Sequence, residues 1–308
     1  QKKLSSTYRL SNMVKSVESS RYLISIGYHG DAFHGSQIQP DVRTVEGSLV
    51  QALKRLKWWN KNCLELSSRT DSGVRVRMNL ARIDLPSAVS SVIKEKSLVR
   101  ALNDHLPVGM TVISARKVNQ NSRVRLAYFR HYLYRLDMIE EWPENVSNSQ
   151  ISEVCSIFEG THNFSNLSKF EEDKDPVRTV DECIPWIHSG TVIGFSIKAQ
   201  SFLWNQVRRI ASALSGIASG RISMEELKSA LCEPEKKVDF GRAISDGLIL
   251  WAINHPDFQL DDDKGFPSDN LFSIRTHKTR DYRRWISLCN FEMSSLIERE
   301  WLQLINSD

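Results

Sequence analysis

Among 308 residues there are only five cysteines, and they are scattered: Cys63, Cys155, Cys183, Cys232 and Cys289. None lies within metal-ligand spacing of another, so no zinc site or other metal centre is expected. An odd, dispersed set in a chain of this size points to a reducing cytoplasm rather than a disulfide scaffold. No apolar run reaches the ~20 residues that a membrane-spanning helix needs, so no membrane partner is expected. A strong charge of one sign is also missing: 41 Lys and Arg stand against 37 Asp and Glu, a net charge of +4. That excess does not by itself mark a nucleic-acid binder; the distribution of the charge matters more. No Gly-rich phosphate loop, H-E-x-x-H or G-x-S-x-G pattern occurs, which removes the commonest nucleotide-hydrolase, zinc-protease and serine-hydrolase readings. His29, His34, His105 and His162 are dispersed and read as loop or packing residues.

What is present is an ordinary globular balance, 41% hydrophobic and 25% charged, in a chain long enough for two domains. "YLISIGY" (22–28) reads as a strand and "TVEGSLVQALKRL" (44–56) as a helix capped by Thr44, with Val45, Leu49, Ala52, Leu53 and Leu56 on one face. A strand starting at 63 leads into a polar turn. The strand after it alternates Val74, Val76, Met78 and Leu80 with Arg75, Arg77 and Asn79. A short helix (97–107) and a strand (110–118) follow. The pattern then partly recurs: strand 130–136, helix 152–160 ending at Gly160, strand 191–200, helices 202–219 and 224–231, strand 247–253. The expectation is an α+β protein of two similar domains, each a mostly antiparallel sheet with helices on one face, with a central basic cleft between them. The boundaries are a basic N-terminal arm at 1–20, domains at 21–118 and 119–258, and a helical extension at 259–308. The apolar positions of the extension predict docking onto the body. Its basic cluster, Arg275, His277, Lys278, Arg280, Arg283 and Arg284, is also open to RNA contact.

Two stretches carry chemistry. "LELSSRTDSGVRVRMNL" (64–80) wraps a turn of Asp71 and Gly73 in Arg69, Arg75 and Arg77. Turn chemistry alone makes it a hairpin tip. "RVRLAYFRHYLYR" (123–135) interleaves Arg123, Arg125, Arg130 and Arg135 with Tyr128, Phe129, Tyr132 and Tyr134. On a strand, such a pattern serves phosphates and stacked bases, or it fills a core with rings and leaves the arginines solvated; both readings stay open. Arg208 and Arg209 are a further basic spot, or a solvated helical face.

Several of these segments, in order, resemble the TruA family of tRNA pseudouridine synthases. "RTDSGV" (69–74) is similar to its R-T-D-x-G-V signature, "RHYLY" (130–134) to R-x-Y-x-Y, and "GTHNFSNLSK" (160–169) to G-x-H-D-F-x-x-F. "VRTV" (177–180) is similar to R-T-I, "SFLWNQVRRI" (201–210) to F-L-x-x-M-V-R-x-I, and "DGLIL" (246–250) to the closing G-L-x-L. The "FHGSQIQP" loop and "SNLSKFEEDK" look most like archaeal members.

The resemblance implies isomerisation of uridine to pseudouridine in the anticodon stem-loop of tRNA, at positions 38 to 40, by a homodimer without cofactor or metal. It puts the nucleophile at Asp71, an Arg tied to base extrusion at Arg69, a ring under the uracil at Tyr132, and the nucleophile's ionic partner at Arg208. Exchanging a C–N for a C–C bond at ribose C1′ requires such a nucleophile, and a duplex base must first be flipped out. Candidates for RNA contact are Arg75, Arg77, Arg125, Arg130, Arg209 and Gln37, with a solvated strand edge as the alternative for Arg75 and Arg77. The sequence departs from the family at Ser36 (Trp), Arg75 (His), Val124 (Arg) and Asn163 (Asp). The competing function is an RNA-binding protein or chaperone without catalysis. An Asp among phosphates argues against it, because the carboxylate would repel the ligand.

Overall fold

Tyr22, Leu23, Ile24 and Ile26 are all fully buried, so both faces of the first strand are covered, as in a central strand of a large sheet. The computed structural model describes residues 19–259, 265–267, 272–273, 275 and 279–306. Most of the expected N-terminal arm lies outside these residues, as do His277, Lys278 and the side chains of Arg280, Arg283 and Arg284. The strands are β1 (Ser19–Tyr28), β2 (Leu64–Leu66), β3 (Arg75–Pro86), β4 (Met110–Val118) and β5 (Phe129–Tyr134), then β6 (Gly160–Asn163), β7 (Val177–His188), β8 (Thr191–Ala199) and β9 (Leu248–Asn254). They form one sheet in the order β4-β1-β3-β9-β5-β8-β7-β6, with β2 beside β3.

The sequence pattern predicts two sheets; the strands instead join edge to edge. The join is the parallel pairing of β3 with β9, limited to Arg75↔Ile249 and Val76↔Leu250. This short seam lies at the start of β3, directly after the polar turn, so it brings the turn against elements from the second half of the chain.

Helices α1 (Val45–Arg55), α2 (Ser87–Ser90, a single turn), α3 (Glu95–Asn103), α4 (Asn148–Phe158), α5 (Gln206–Ala218) and α6 (Met224–Cys232) accompany the strands. Thr44 caps α1 by accepting from Gly47 N–H, and Ser223 with Glu226 forms a capping box on α6. Apolar residues of α1, α3, α4, α5 and α6 build the main core against one sheet face. The 28-residue helix α7 (Thr279–Asn306) packs on the opposite face, which corrects the expectation of helices on one side only. Strand alternation feeds both layers: Tyr132 and Tyr134 of β5 point to the main core, and Leu133 to the second core with Ile249, Trp251, Trp285, Met293 and Trp301. Trp301 approaches β1 so closely that a Cβ on Gly27 would stand 2.1 Å from its indole nitrogen. Two of the extension's apolar positions, Leu288 and Ile305, are exposed rather than docked.

Arg75 and Arg77 are not at a solvated or phosphate-facing edge. They point into the second layer, where only 1% of the Arg77 side chain is exposed. Arg77 pairs with Glu300 at 2.8 Å and lies 4.5 Å from the Trp251 ring. Arg75 donates to Asp246 O, Asn290 Oδ1 and Ser294 Oγ. Arg135 is likewise buried, paired with Asp137 and Glu292. Arginines that anchor the long helix look, in the sequence, like arginines that await phosphate.

His131 is also buried in this sheet, bonded to Ser196 Oγ at 2.7 Å, and burial pushes its pKa down to about 3. A neutral histidine in the fold is protonated in the unfolded chain below its ordinary value of ~6.5. Stability is therefore complete above that value and falls as pH drops toward 3. The expected loss by pH 5 is about 2 kcal/mol. His131→Gln should flatten this part of a urea-midpoint-against-pH curve; an unchanged slope would place the acid lability elsewhere.

Candidate active site

The polar turn is held from three sides. Ser36 N–H donates to Thr70 O (3.0 Å) and Thr70 N–H donates to Ser36 Oγ (2.8 Å). The small residue at 36, where the family pattern has Trp, thus clamps both backbone groups of Thr70. Gly73 N–H donates to Gly30 O, and Tyr28 O–H meets Thr70 Oγ1 at 2.8 Å. Gly73 has φ +85, and a Cβ there would stand 2.4 Å from Ser245 Oγ. Only glycine suits both the left-handed backbone and that close approach. Asn79 of β3 reaches back, its side chain bonding Ser68 N and O.

From the other half, Asn205 adopts φ 63, and α5 starts one residue later, at Gln206 rather than at 202. This left-handed step sends the 200–205 loop over the turn. Arg208, on the first turn of α5, donates from Nη1 to Asp71 Oδ2 at 3.0 Å and from Nε to Ala243 O at 2.8 Å. The second bond fixes the guanidinium whether or not Asp71 is present. Trp204 Nε1–H donates to Asp71 Oδ1 at 3.3 Å. Both carboxylate oxygens therefore have a donor, while the Asp71 side chain stays 34% exposed to the cleft. Lys169 braces the indole, with Nζ 3.7 Å from the Trp204 ring centroid.

The cleft around Asp71 has a volume of about 690 Å³, enough for an extruded nucleotide. Tyr132 forms part of its wall, edge-to-face with Phe202 at 5.3 Å. Burial raises the Tyr132 phenol, only partly offset by the Arg130 charge, so the hydroxyl remains protonated at neutral pH. Arg69 lies at the cleft surface and has no ion pair among the described residues. Gln37 and Arg125 also line it, Arg125 paired with Glu65 at 3.0 Å. Arg130 lines it from below but is buried. Its guanidinium donates to Ser68 Oγ, Ser67 O and Gln200 O, and so ties the strand before the turn to the loop after β8. Burial lowers its pKa. Arg209 points away from the cleft wall and pairs with Asp239 at 2.7 Å.

Of the sequence-derived residues, Asp71, Arg69, Tyr132, Arg208, Arg125, Arg130 and Gln37 meet at one cleft, while Arg75, Arg77 and Arg209 do not. Trp204, which lines the cleft, and Ser36, which holds the turn through Thr70, were not expected in these places. Their one signal was position: each sits inside a matched motif, Ser36 at a departure and Trp204 at an unspecified place. Among the described residues no three His, Cys, Asp or Glu side chains converge as metal ligands.

A carboxylate fixed by a guanidinium and an indole, beside an aromatic wall and an exposed arginine, is suited to covalent work on an unstacked base. Comparison with known proteins identifies the family. The family model described as tRNA pseudouridine synthase matches residues 154–256. The tRNA pseudouridine synthase A of Thermococcus kodakarensis is 34% identical over 79% of this chain and 88% of its own length. That of Methylacidiphilum infernorum is 32% identical over 76% and 95%. That of Archaeoglobus fulgidus is 32% identical over 79% and 87%. The chain belongs to the tRNA pseudouridine synthase A family.

Proposed function

We propose that this protein isomerises uridine to pseudouridine in the anticodon stem-loop of tRNA, at positions 38 to 40, with Asp71 as nucleophile. The observation that carries the reading is the Arg208–Asp71–Trp204 arrangement at the floor of a nucleotide-sized cleft. Asp71 attacks ribose C1′ as the C1′–N1 bond breaks, and the bonding pair leaves with the uracil. The freed ring turns on Tyr132, and C5 takes C1′ back from the carboxylate. Loss of the C5 proton and protonation at N1 complete an isomerisation that needs no redox partner or metal. A protonated Tyr132 serves better as a stacking wall and hydrogen-bond donor than as the base for the C5 proton.

Arg69, exposed at the rim and without an ion pair among the described residues, fills the gap left by the extruded base or holds its phosphate. Arg125 and Gln37 contact the backbone, and Arg130 and Arg208 hold the site's parts in register. Five cationic side chains line the cleft (Arg69, Arg125, Arg130, Lys174 and Arg208) against Asp71 and Glu171, and this supports a basic RNA channel between two similar halves. The working form is a cytoplasmic homodimer. Incubation with unmodified tRNA transcripts followed by carbodiimide mapping should place reverse-transcription stops at positions 38 to 40. Stops elsewhere in the tRNA would move the site; no stops at all would favour an RNA-binding protein without catalysis.

A further inference from the structure

Beside the catalytic cleft lies a second depression of about 440 Å³, lined by Tyr128, Val177, Arg178, Thr179 and Asp181. Gln200 and Ser201 line both depressions, so the two form one continuous surface. The "VRTV" segment at its base matches a family motif, yet the catalytic arrangement leaves Arg178 without a role.

Three features of this groove point to a ligand. The Tyr128 ring is 62% exposed although it directly precedes β5, whose other two tyrosines are buried. Its backbone is fixed by the bond from Tyr128 N–H to Asn254 O at 2.8 Å, so the ring is presented on a held strand end. The Arg178 guanidinium is likewise held: Nη1 donates to Asp175 O at 2.7 Å and to Val177 O at 2.6 Å. No carboxylate pairs with it among the described residues, and its Nε is enclosed without an acceptor. A cation ordered by two carbonyls, with a donor to spare, is arranged for an anion. Finally, the β7–β8 register passes from Val180↔Ala199 to Glu182↔Lys198 and skips Asp181. Such a bulge re-aims a side chain, and here it brings the Asp181 carboxylate to the groove.

We propose that this groove binds one unpaired nucleotide neighbouring the target uridine. The base stacks on Tyr128, the phosphate meets Arg178, and Asp181 accepts from N–H groups on the base edge. Asp181 thereby favours a base that offers amino or imino donors there. The proposal rests on the tRNA reading above.

The test is steady-state kinetics on a tRNA transcript, with abasic sites placed one at a time around the target. Tyr128→Ala should raise KM about tenfold, the scale of one lost base–aromatic stack, with the change carried by KM rather than kcat. One abasic position should cost the wild-type protein a similar factor and cost Tyr128→Ala almost nothing more. Arg178→Gln should reduce the slope of log Kd against log salt by about one, as for one lost phosphate contact. Wild-type KM in Tyr128→Ala with an unchanged salt slope in Arg178→Gln would overturn the proposal, and so would penalties that add at every abasic position. If Asp71→Asn is inactive in the same assay, those results leave the catalytic reading intact; if it is active, the catalytic reading is the one that fails.

Discussion

Asp71→Asn is expected to lower the single-turnover rate of pseudouridine formation by at least about 10⁴-fold, while the Kd for tRNA changes little or tightens. The rate loss follows from the role: a carboxamide has neither the charge nor the nucleophilicity to take up C1′, and removal of a nucleophile is among the costliest single changes an active site can suffer. The geometry adds a second reason. Asp71 accepts from Arg208 at Oδ2 and from Trp204 at Oδ1, and an amide can accept only through its one oxygen. Its NH₂ must then face one of the two donors. The binding expectation follows from charge. The other parts of the cleft do not depend on Asp71: Arg208 remains bonded to Ala243 O, and Arg130 to Ser67 and Ser68. Loss of a negative charge beside phosphates relieves repulsion. Carbodiimide mapping and filter binding on one preparation separate the two quantities. Normal modification by the variant would end the assignment of Asp71. Parallel loss of binding and turnover would mean that the substitution had collapsed the turn instead.

The site was more legible in the sequence than the sheet that carries it. The Arg69–Asp71 turn, Tyr132 and Arg208 lie far apart in the chain, yet each sits in a short motif of distinctive residue types. The strand β7 was missed for a physical reason. Its buried residues are Val180, Cys183 and Trp186: the register shift after Val180 sets Val180 and Cys183 three apart in the main core, while Trp186 faces the second core, so no two-residue period shows. The start of α5 was misplaced because Leu203 fits the apolar period of the helix, while the left-handed Asn205 interrupts the backbone. The single sheet could not be inferred either, since only two residue pairs join its halves. Arg75, Arg77 and Arg135 were the least legible. A buried arginine requires buried acceptors, and those on α7, Asn290 for Arg75, Glu300 for Arg77 and Glu292 for Arg135, lie more than 150 residues away on a helix whose docking site the sequence does not specify. Ser36 and Arg75 show a further limit. Both depart from the family pattern, and both have bonding partners here, Ser36 on the polar turn and Arg75 on α7.

Glu300→Ala should destabilise the protein by about 3–5 kcal/mol, the cost of breaking a buried ion pair by removing one member. The Arg77 and Glu300 side chains are 1% and 3% exposed, and Arg77 also lies against the Trp251 ring and donates to Trp251 O. Without Glu300 the guanidinium keeps its charge, because an arginine cannot neutralise itself by releasing a proton near neutral pH. It then lacks the Glu300 carboxylate between the sheet and α7, or the helix lifts to admit water. Either outcome consumes much of a typical net stability of ~5–15 kcal/mol. The joint substitution Arg77→Met with Glu300→Leu removes both charges and keeps apolar volume, so it should recover most of the loss. Asp239→Ala is the surface control. It breaks the Arg209–Asp239 pair, whose carboxylate is 72% exposed, and should cost about 1 kcal/mol or less. Urea midpoints at constant slope measure all four proteins, and hydrogen exchange along α7 distinguishes a lifted helix from a strained one. A loss below about 1 kcal/mol in Glu300→Ala would mean that α7 holds the sheet through Trp285, Met293 and Trp301 alone, with the ion pair neutral to stability.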